Sequence, residues 1–200
     1  MKKVISILNE HGGYARMKDF KAASVQTREI YLLTQHGIIT KIKPGLYRLA
    51  NLPEKAGIPI CFKDVCTAMP NSVICLLSAL QFHKLTTINP SEIFVALPHS
   101  AKPPKIEYPP IRVFYFRDRF YSCGIRTVVV ENAIIRIYDH EKTICDMFRY
   151  RKKLGEETCL KALRNYLKSG ETDIIKLYKY AVKCQVKTTM IPYLKAMIAA

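Results

Sequence analysis

The tightest group of titratable side chains in the sequence is Asp139-His140-Glu141, followed closely by Asp146. Carboxylates and an imidazole at this spacing can relay protons or hold a divalent cation. The local pattern gives them plainer work. Asp139 directly precedes a run with helical spacing and Glu141 falls in its first turn, where a side-chain cap and a negative charge satisfy free N–H groups and the helix dipole. No catalytic or metal-ligating role is therefore expected there. His83 and His99 have no companions at ligand spacing. No Gly-rich phosphate loop or Ser/His/Asp nucleophile arrangement is present, and no cofactor is expected.

Basic side chains offer the other chemistry. Lys and Arg number 32 against 16 Asp and Glu, a formal net charge of +16. Such a surface attracts polyanions, nucleic acid above all, although charge alone does not separate DNA from RNA. Residues 1–50 carry nine basic and three acidic side chains, residues 51–100 carry three of each, and residues 151–200 carry eleven and four. One basic group, Arg149, Arg151, Lys152, Lys153, Lys161, Arg164 and Lys168, spans two successive helical runs. It reads either as a second surface for a polyanion or acidic protein, or as a solvated face.

Elements must position these side chains. Val4, Ile5 and Leu8 predict a short helix over residues 3–11, stopped by Gly12-Gly13. Residues 16–23 suit a second helix. Ser24 is expected to cap a third, residues 25–36, with Ile30, Leu32 and Leu33 inward and Gly37 ending it. The β-branched run Ile38-Ile39-Thr40-Lys41-Ile42, the Lys43-Pro44-Gly45 turn and Leu46-Tyr47-Arg48-Leu49 predict a hairpin. Three short helices and a hairpin make a winged helix-turn-helix. The third helix then turns Thr27, Arg28, Tyr31 and Gln35 outward, with Ser24 and Gln26 at the end that enters a groove first. Arg28 has the fork that matches the two acceptors of guanine, and Gln26 can pair with adenine. Lys41, Lys43 and Arg48, on or beside the hairpin, are expected to neutralise phosphates or enter a minor groove.

Two prolines and a glycine in residues 52–59 place a linker there, dividing residues 1–55 from residues 56–200. Beyond it, residues 62–69 and 72–82 read as helices. Strands follow at 92–97, 111–116, 126–130 and 134–138, then helices at 139–153, 156–168, 173–184 and 190–198. This order of elements is α+β, a winged helix-turn-helix followed by a mixed α/β domain. Seven cysteines, an odd count with none at two-residue spacing, suggest reduced thiols in a cytoplasm. No window approaches the roughly 18 apolar residues of a membrane span.

Several segments resemble the AbiEi-like antitoxins of type IV toxin–antitoxin, or abortive-infection, systems. Gly45-Leu46-Tyr47-Arg48-Leu49 is similar to that family's wing, Ile74-Cys75-Leu76-Leu77-Ser78-Ala79-Leu80 with His83 to its central helix, and Val95-Ala96-Leu97-Pro98 to the following strand. The most specific segment is Tyr138-Asp139-His140-Glu141-Lys142-Thr143-Ile144-Cys145-Asp146-Met147-Phe148-Arg149. The resemblance implies a cytoplasmic winged helix that represses its own operon by binding repeated, inverted half-sites in double-stranded promoter DNA. It also implies a C-terminal antitoxin domain that counteracts a nucleotidyltransferase-like toxin without a stable complex. Arg149, Arg151, Lys152 and Lys153 are the candidate surface for that antagonism. Pro44 stands where many wings carry a basic or small residue, leaving Lys43 as the cation at the turn. The residues themselves point to nucleic-acid binding and say nothing of toxin antagonism. A regulator whose C-terminal domain binds a small effector or acts like a kinase is the alternative.

Overall fold

The structure is a computed structural model that describes residues 1–53, 57–130 and 133–199. The chain forms two compact units. The first takes residues 1–71, 102–111 and 128–135, and the second takes residues 72–101, 112–127 and 136–200.

In the first unit, α1 (Lys2–Glu10) buries Val4, Ile7 and Leu8, the apolar residues at helical spacing. The chain reverses at Gly12 and Gly13, both at positive φ. Gly13 stands at φ +89, where any side chain is strained, and a Cβ there would also have to displace Leu52 Cδ1, 2.2 Å away. A three-residue strand follows, β1 (Tyr14–Arg16), then α2 (Met17–Ala22), which buries Phe20. Helix α3 (Thr27–Gln35) buries Ile30 and Leu33. Strands β2 (Ile39–Lys43) and β3 (Leu46–Leu49) pair antiparallel around Pro44-Gly45, and β1 adds to the other side of β3, giving the order β1-β3-β2. The helices pack on this sheet through Phe20, Val25, Ile30, Leu33, Ile39 and Tyr47. Helix α4 (Ile60–Ala68) also belongs to the first unit. The middle of the expected linker, residues 54–56, lies outside the described residues.

Two local expectations change here. Ser24 does not cap α3: the N-cap is Gln26, and Ser24 sits at φ +56 in the turn between α2 and α3. Leu32 is 45% exposed, because the helix buries only the face shared by Ile30 and Leu33.

The other elements are β4 (Val73–Ile74), α5 (Leu76–Phe82), β5 (Ile93–Pro98), β6 (Ile111–Phe116), α6 (Asp118–Tyr121), β7 (Ile125–Val130), β8 (Ala133–Tyr138), α7 (His140–Leu154), α8 (Glu156–Lys168), α9 (Ile174–Lys183) and α10 (Lys187–Ala199). Five strands form a mixed sheet in the order β6-β5-β4-β8-β7, with β4 antiparallel to β5 and parallel to β8. The second core runs from Val73, Phe94 and Phe116 through Tyr138 and Phe148 to Leu163, Leu177 and Met190. The helix expected over 72–82 is a short strand and a shorter helix, because Leu76 turns the chain at φ +48. The element order is that of an α+β fold, helices with a short sheet and then a mixed sheet with helices, as expected. Among the described residues no helix is long and apolar enough to cross a membrane.

Candidate nucleic-acid interface

Helix α3 is amphipathic by the spacing of its residues. With Ile30 and Leu33 fixed inward, the 100° step per residue leaves Gln26, Thr27, Arg28, Tyr31 and Gln35 exposed along the opposite side. Tyr31 is 61% exposed and takes no part in the core beneath the helix. Ser24 is exposed at the entry to the helix. All six α3-side residues singled out from the sequence are thus exposed in the first unit.

The hairpin residues are placed differently from one another. Lys41 forms an ion pair with Glu107 at 2.7 Å, and Glu107 also donates its backbone N–H to the Ile42 carbonyl at 2.8 Å. The hydrogen bond with Glu107 raises the Lys41 pKa, so the ammonium stays charged while its field is partly neutralised. Lys43 donates from Nζ to the Ala68 carbonyl at 2.6 Å. Partial burial and the nearby Arg16 charge lower its pKa. Arg16, exposed where β1 meets α2, therefore adds a cation beside Lys43. No sequence signal singled it out, since it lies outside both the third helix and the hairpin.

Arg48 does not face outward as the strand alternation suggested. It is 7% exposed, and its Nε donates to Asp64 Oδ2 at 3.0 Å while Nη1 donates to the Leu49 and Ala50 carbonyls. Asp64, fully buried on α4, also accepts from the Tyr14 hydroxyl at 2.9 Å. Burial pushes the Asp64 carboxyl up, and the Arg48 and Tyr14 donors pull against that. An uncompensated charge at this depth would be costly, and Asp64 pairs it. Nothing in residues 39–49 announces this partner, sixteen positions away.

In the second unit the titratable group around Asp139 is used internally. Asp139 caps α7 by accepting from the Lys142 backbone N–H at 2.9 Å. Lys176 bridges Asp139 and Glu141, at 3.0 and 2.8 Å, and Tyr166 donates to Glu141. Lys142 and Asp146, both buried, pair with each other, and the Lys142 ammonium lies over the Tyr138 ring at 4.3 Å and the Phe116 ring at 4.8 Å. His83 Nε2 hydrogen-bonds to the Tyr138 carbonyl at 2.7 Å, and burial pushes its pKa down to about 4. His83 and His140 lie 3.9 Å apart between ring centroids, tilted by 37°, and His99 meets Tyr115 edge-on. Among the described residues no group of three His, Cys, Asp or Glu side chains is placed to hold a metal. All seven cysteines are free thiols.

The second basic group is only partly free. Arg149 stacks over Phe120 at 3.8 Å and donates to the Cys184 carbonyl, and Arg151 donates to the Phe148 carbonyl. Lys152 and Lys153 are exposed, and the four line a recess of about 690 Å³ with Gln185 and Thr189.

Residues 3–50 match the family model described as "Transcriptional regulator, AbiEi antitoxin". No curated protein matches the chain. The matched span runs from α1 to the end of β3, the part of the chain that carries α3 and the hairpin. In that N-terminal segment the chain is AbiEi-like, similar to the antitoxin transcriptional regulators that the family model describes.

Proposed function

We propose that the protein is a DNA-binding antitoxin that represses its own type IV toxin–antitoxin operon in the cytoplasm and counteracts a nucleotidyltransferase-like toxin encoded beside it. The observation that carries the DNA half is the exposed face of α3, where Gln26, Thr27, Arg28, Tyr31 and Gln35 stand opposite a buried Ile30-Leu33 face. A winged helix-turn-helix over residues 1–55 uses such a helix to read base edges in the major groove. Arg28 pairs with guanine and Gln26 with adenine, while Ser24, Lys43 and Arg16 hold phosphates. Lys41 contributes less, its charge being shared with Glu107. Arg48 contributes by holding β3 rather than by touching DNA. Inverted half-sites about one helical turn apart in the promoter are the matching target.

Residues 56–200 carry the antitoxin activity, with Lys152 and Lys153 as the accessible cations of its basic surface. The family description supports an antitoxin role, and the internal use of Asp139, Glu141 and Asp146 gives the kinase-like alternative little to stand on. The test is fluorescence anisotropy of the full chain with labelled DNA from upstream of its own gene and with shuffled DNA. Preference for the upstream DNA supports the reading, and equal affinity for both removes it.

A further inference from the structure

Helix α9 exposes an apolar stripe that DNA binding through α3 does not use. Ile175 is 71% exposed, Tyr178 42% and Val182 51%, while Leu177 and Ala181 on the other side are fully buried. Positions 175, 178 and 182 follow the i, i+3, i+7 rule, so the three side chains form one ridge along the helix. Beside it, Ile174, Leu167, Met197 and Ile198 line a groove of about 730 Å³ whose edge carries Arg164 and Lys168. The flank of the ridge is basic too. Lys179, Lys183 and Lys187 are exposed, and Lys187 Nζ lies 5.0 Å over the Tyr178 ring. Across residues 161–200 there are eight basic and two acidic side chains.

From this pattern we infer that α9 and the adjoining groove dock an acidic amphipathic helix of another protein, its apolar side chains on Ile175, Tyr178 and Val182 and its carboxylates on the surrounding lysines. Three observations select that occupant. A ridge with helical spacing fits the groove between the side-chain rows of a facing helix. Nucleic acid would match the lysines but leave three large apolar side chains against phosphate. A second copy would match the apolar ridge but set lysine against lysine, on a chain that already carries a formal net charge of +16.

The probe is a labelled peptide of about 18 residues, five turns of helix, with Leu on one face and Glu on the other. The full-length protein is expected to bind it saturably, and Ile175→Glu with Val182→Glu should weaken binding by at least about tenfold. Lys179→Glu with Lys183→Glu should weaken it as well, through exposed positions that do not disturb the core. Promoter-DNA affinity should be unchanged in the Ile175→Glu, Val182→Glu variant, and an unchanged circular dichroism spectrum and unfolding midpoint report that the unit carrying α9 is folded. Three results would overturn the inference: a poly-glutamate peptide that binds as tightly as the amphipathic one, binding untouched by the ridge substitutions, or a self-association in sedimentation that those substitutions abolish.

Discussion

Asp64→Ala tests the joint between α4 and the short sheet more sharply than any other single substitution. It leaves the Arg48 guanidinium, 7% exposed, with only the Leu49 and Ala50 carbonyls as partners, and it leaves the Tyr14 hydroxyl without its acceptor. Breaking a buried pair from one side costs about 3–5 kcal/mol, most of it the desolvation of the charge left behind. The two remaining carbonyl bonds keep Arg48 toward the lower end, and the orphaned Tyr14 adds about 1–2 kcal/mol. The sum is about 4 kcal/mol, or close to three decades in the unfolding constant of the first unit. Urea denaturation followed by a probe in that unit measures it directly. Replacing all three partners, Tyr14→Phe, Arg48→Met and Asp64→Leu, should return stability to within about 1 kcal/mol of the parent, since no polar group is then stranded. A loss below about 1 kcal/mol for Asp64→Ala would show that Arg48 finds water when Asp64 is gone, and so that it is not buried as described.

The same geometry separates Arg48 from a phosphate ligand: the triple replacement Tyr14→Phe, Arg48→Met and Asp64→Leu, which strands no polar group, should leave the dependence of DNA affinity on salt concentration unchanged, whereas removing a cation that neutralises a phosphate would reduce the log–log slope by about 0.9. His83 gives a pH signature. Its folded pKa, about 4, lies below the ordinary histidine value. Between the two values the unfolded chain binds a proton that the folded chain does not, so stability is complete above the ordinary pKa and falls as the solution is acidified. The loss should reach about 2 kcal/mol by about pH 5 and should be missing in His83→Gln, as chemical denaturation across that range would record. Gly124→Ala should cost at least about 2 kcal/mol. At φ +70 its new Cβ would sit 2.6 Å from Lys142 Cβ and 3.0 Å from Asp139 Oδ1, and differential scanning calorimetry would register the loss.

The elements that were legible in the sequence are those whose pattern is local. Pro44-Gly45 between two β-branched or aromatic runs can only be a hairpin, and Ile111–Phe116 and Glu156–Lys168 lie where alternation and helical spacing put them. The elements that were missed are short or fully buried. Strand β1 has three residues, too few for a period, and β4 has two, both buried, inside an apolar run that reads as helix. The α3 face of the candidate site was legible because one buried helix face fixes the other. The placement of the hairpin side chains was not, because the orientation of Arg48 and the pairing of Lys41 and Lys43 depend on Asp64, Glu107 and Ala68, which only folding brings near. The cap of Asp139 on α7 was legible for the opposite reason, its partner being three residues away.

The most direct test of autorepression is the affinity of the full-length protein for DNA from upstream of its own gene, set against shuffled DNA at a fixed moderate salt concentration, for the parent chain and for Arg28→Ala. The parent should prefer the upstream DNA, and Arg28→Ala should lose about 1–3 kcal/mol on that DNA alone while binding shuffled DNA nearly as before. Equal affinity of the parent for both DNAs, or an Arg28→Ala variant that keeps the full preference, would contradict the assignment of α3 as the element that reads the operator.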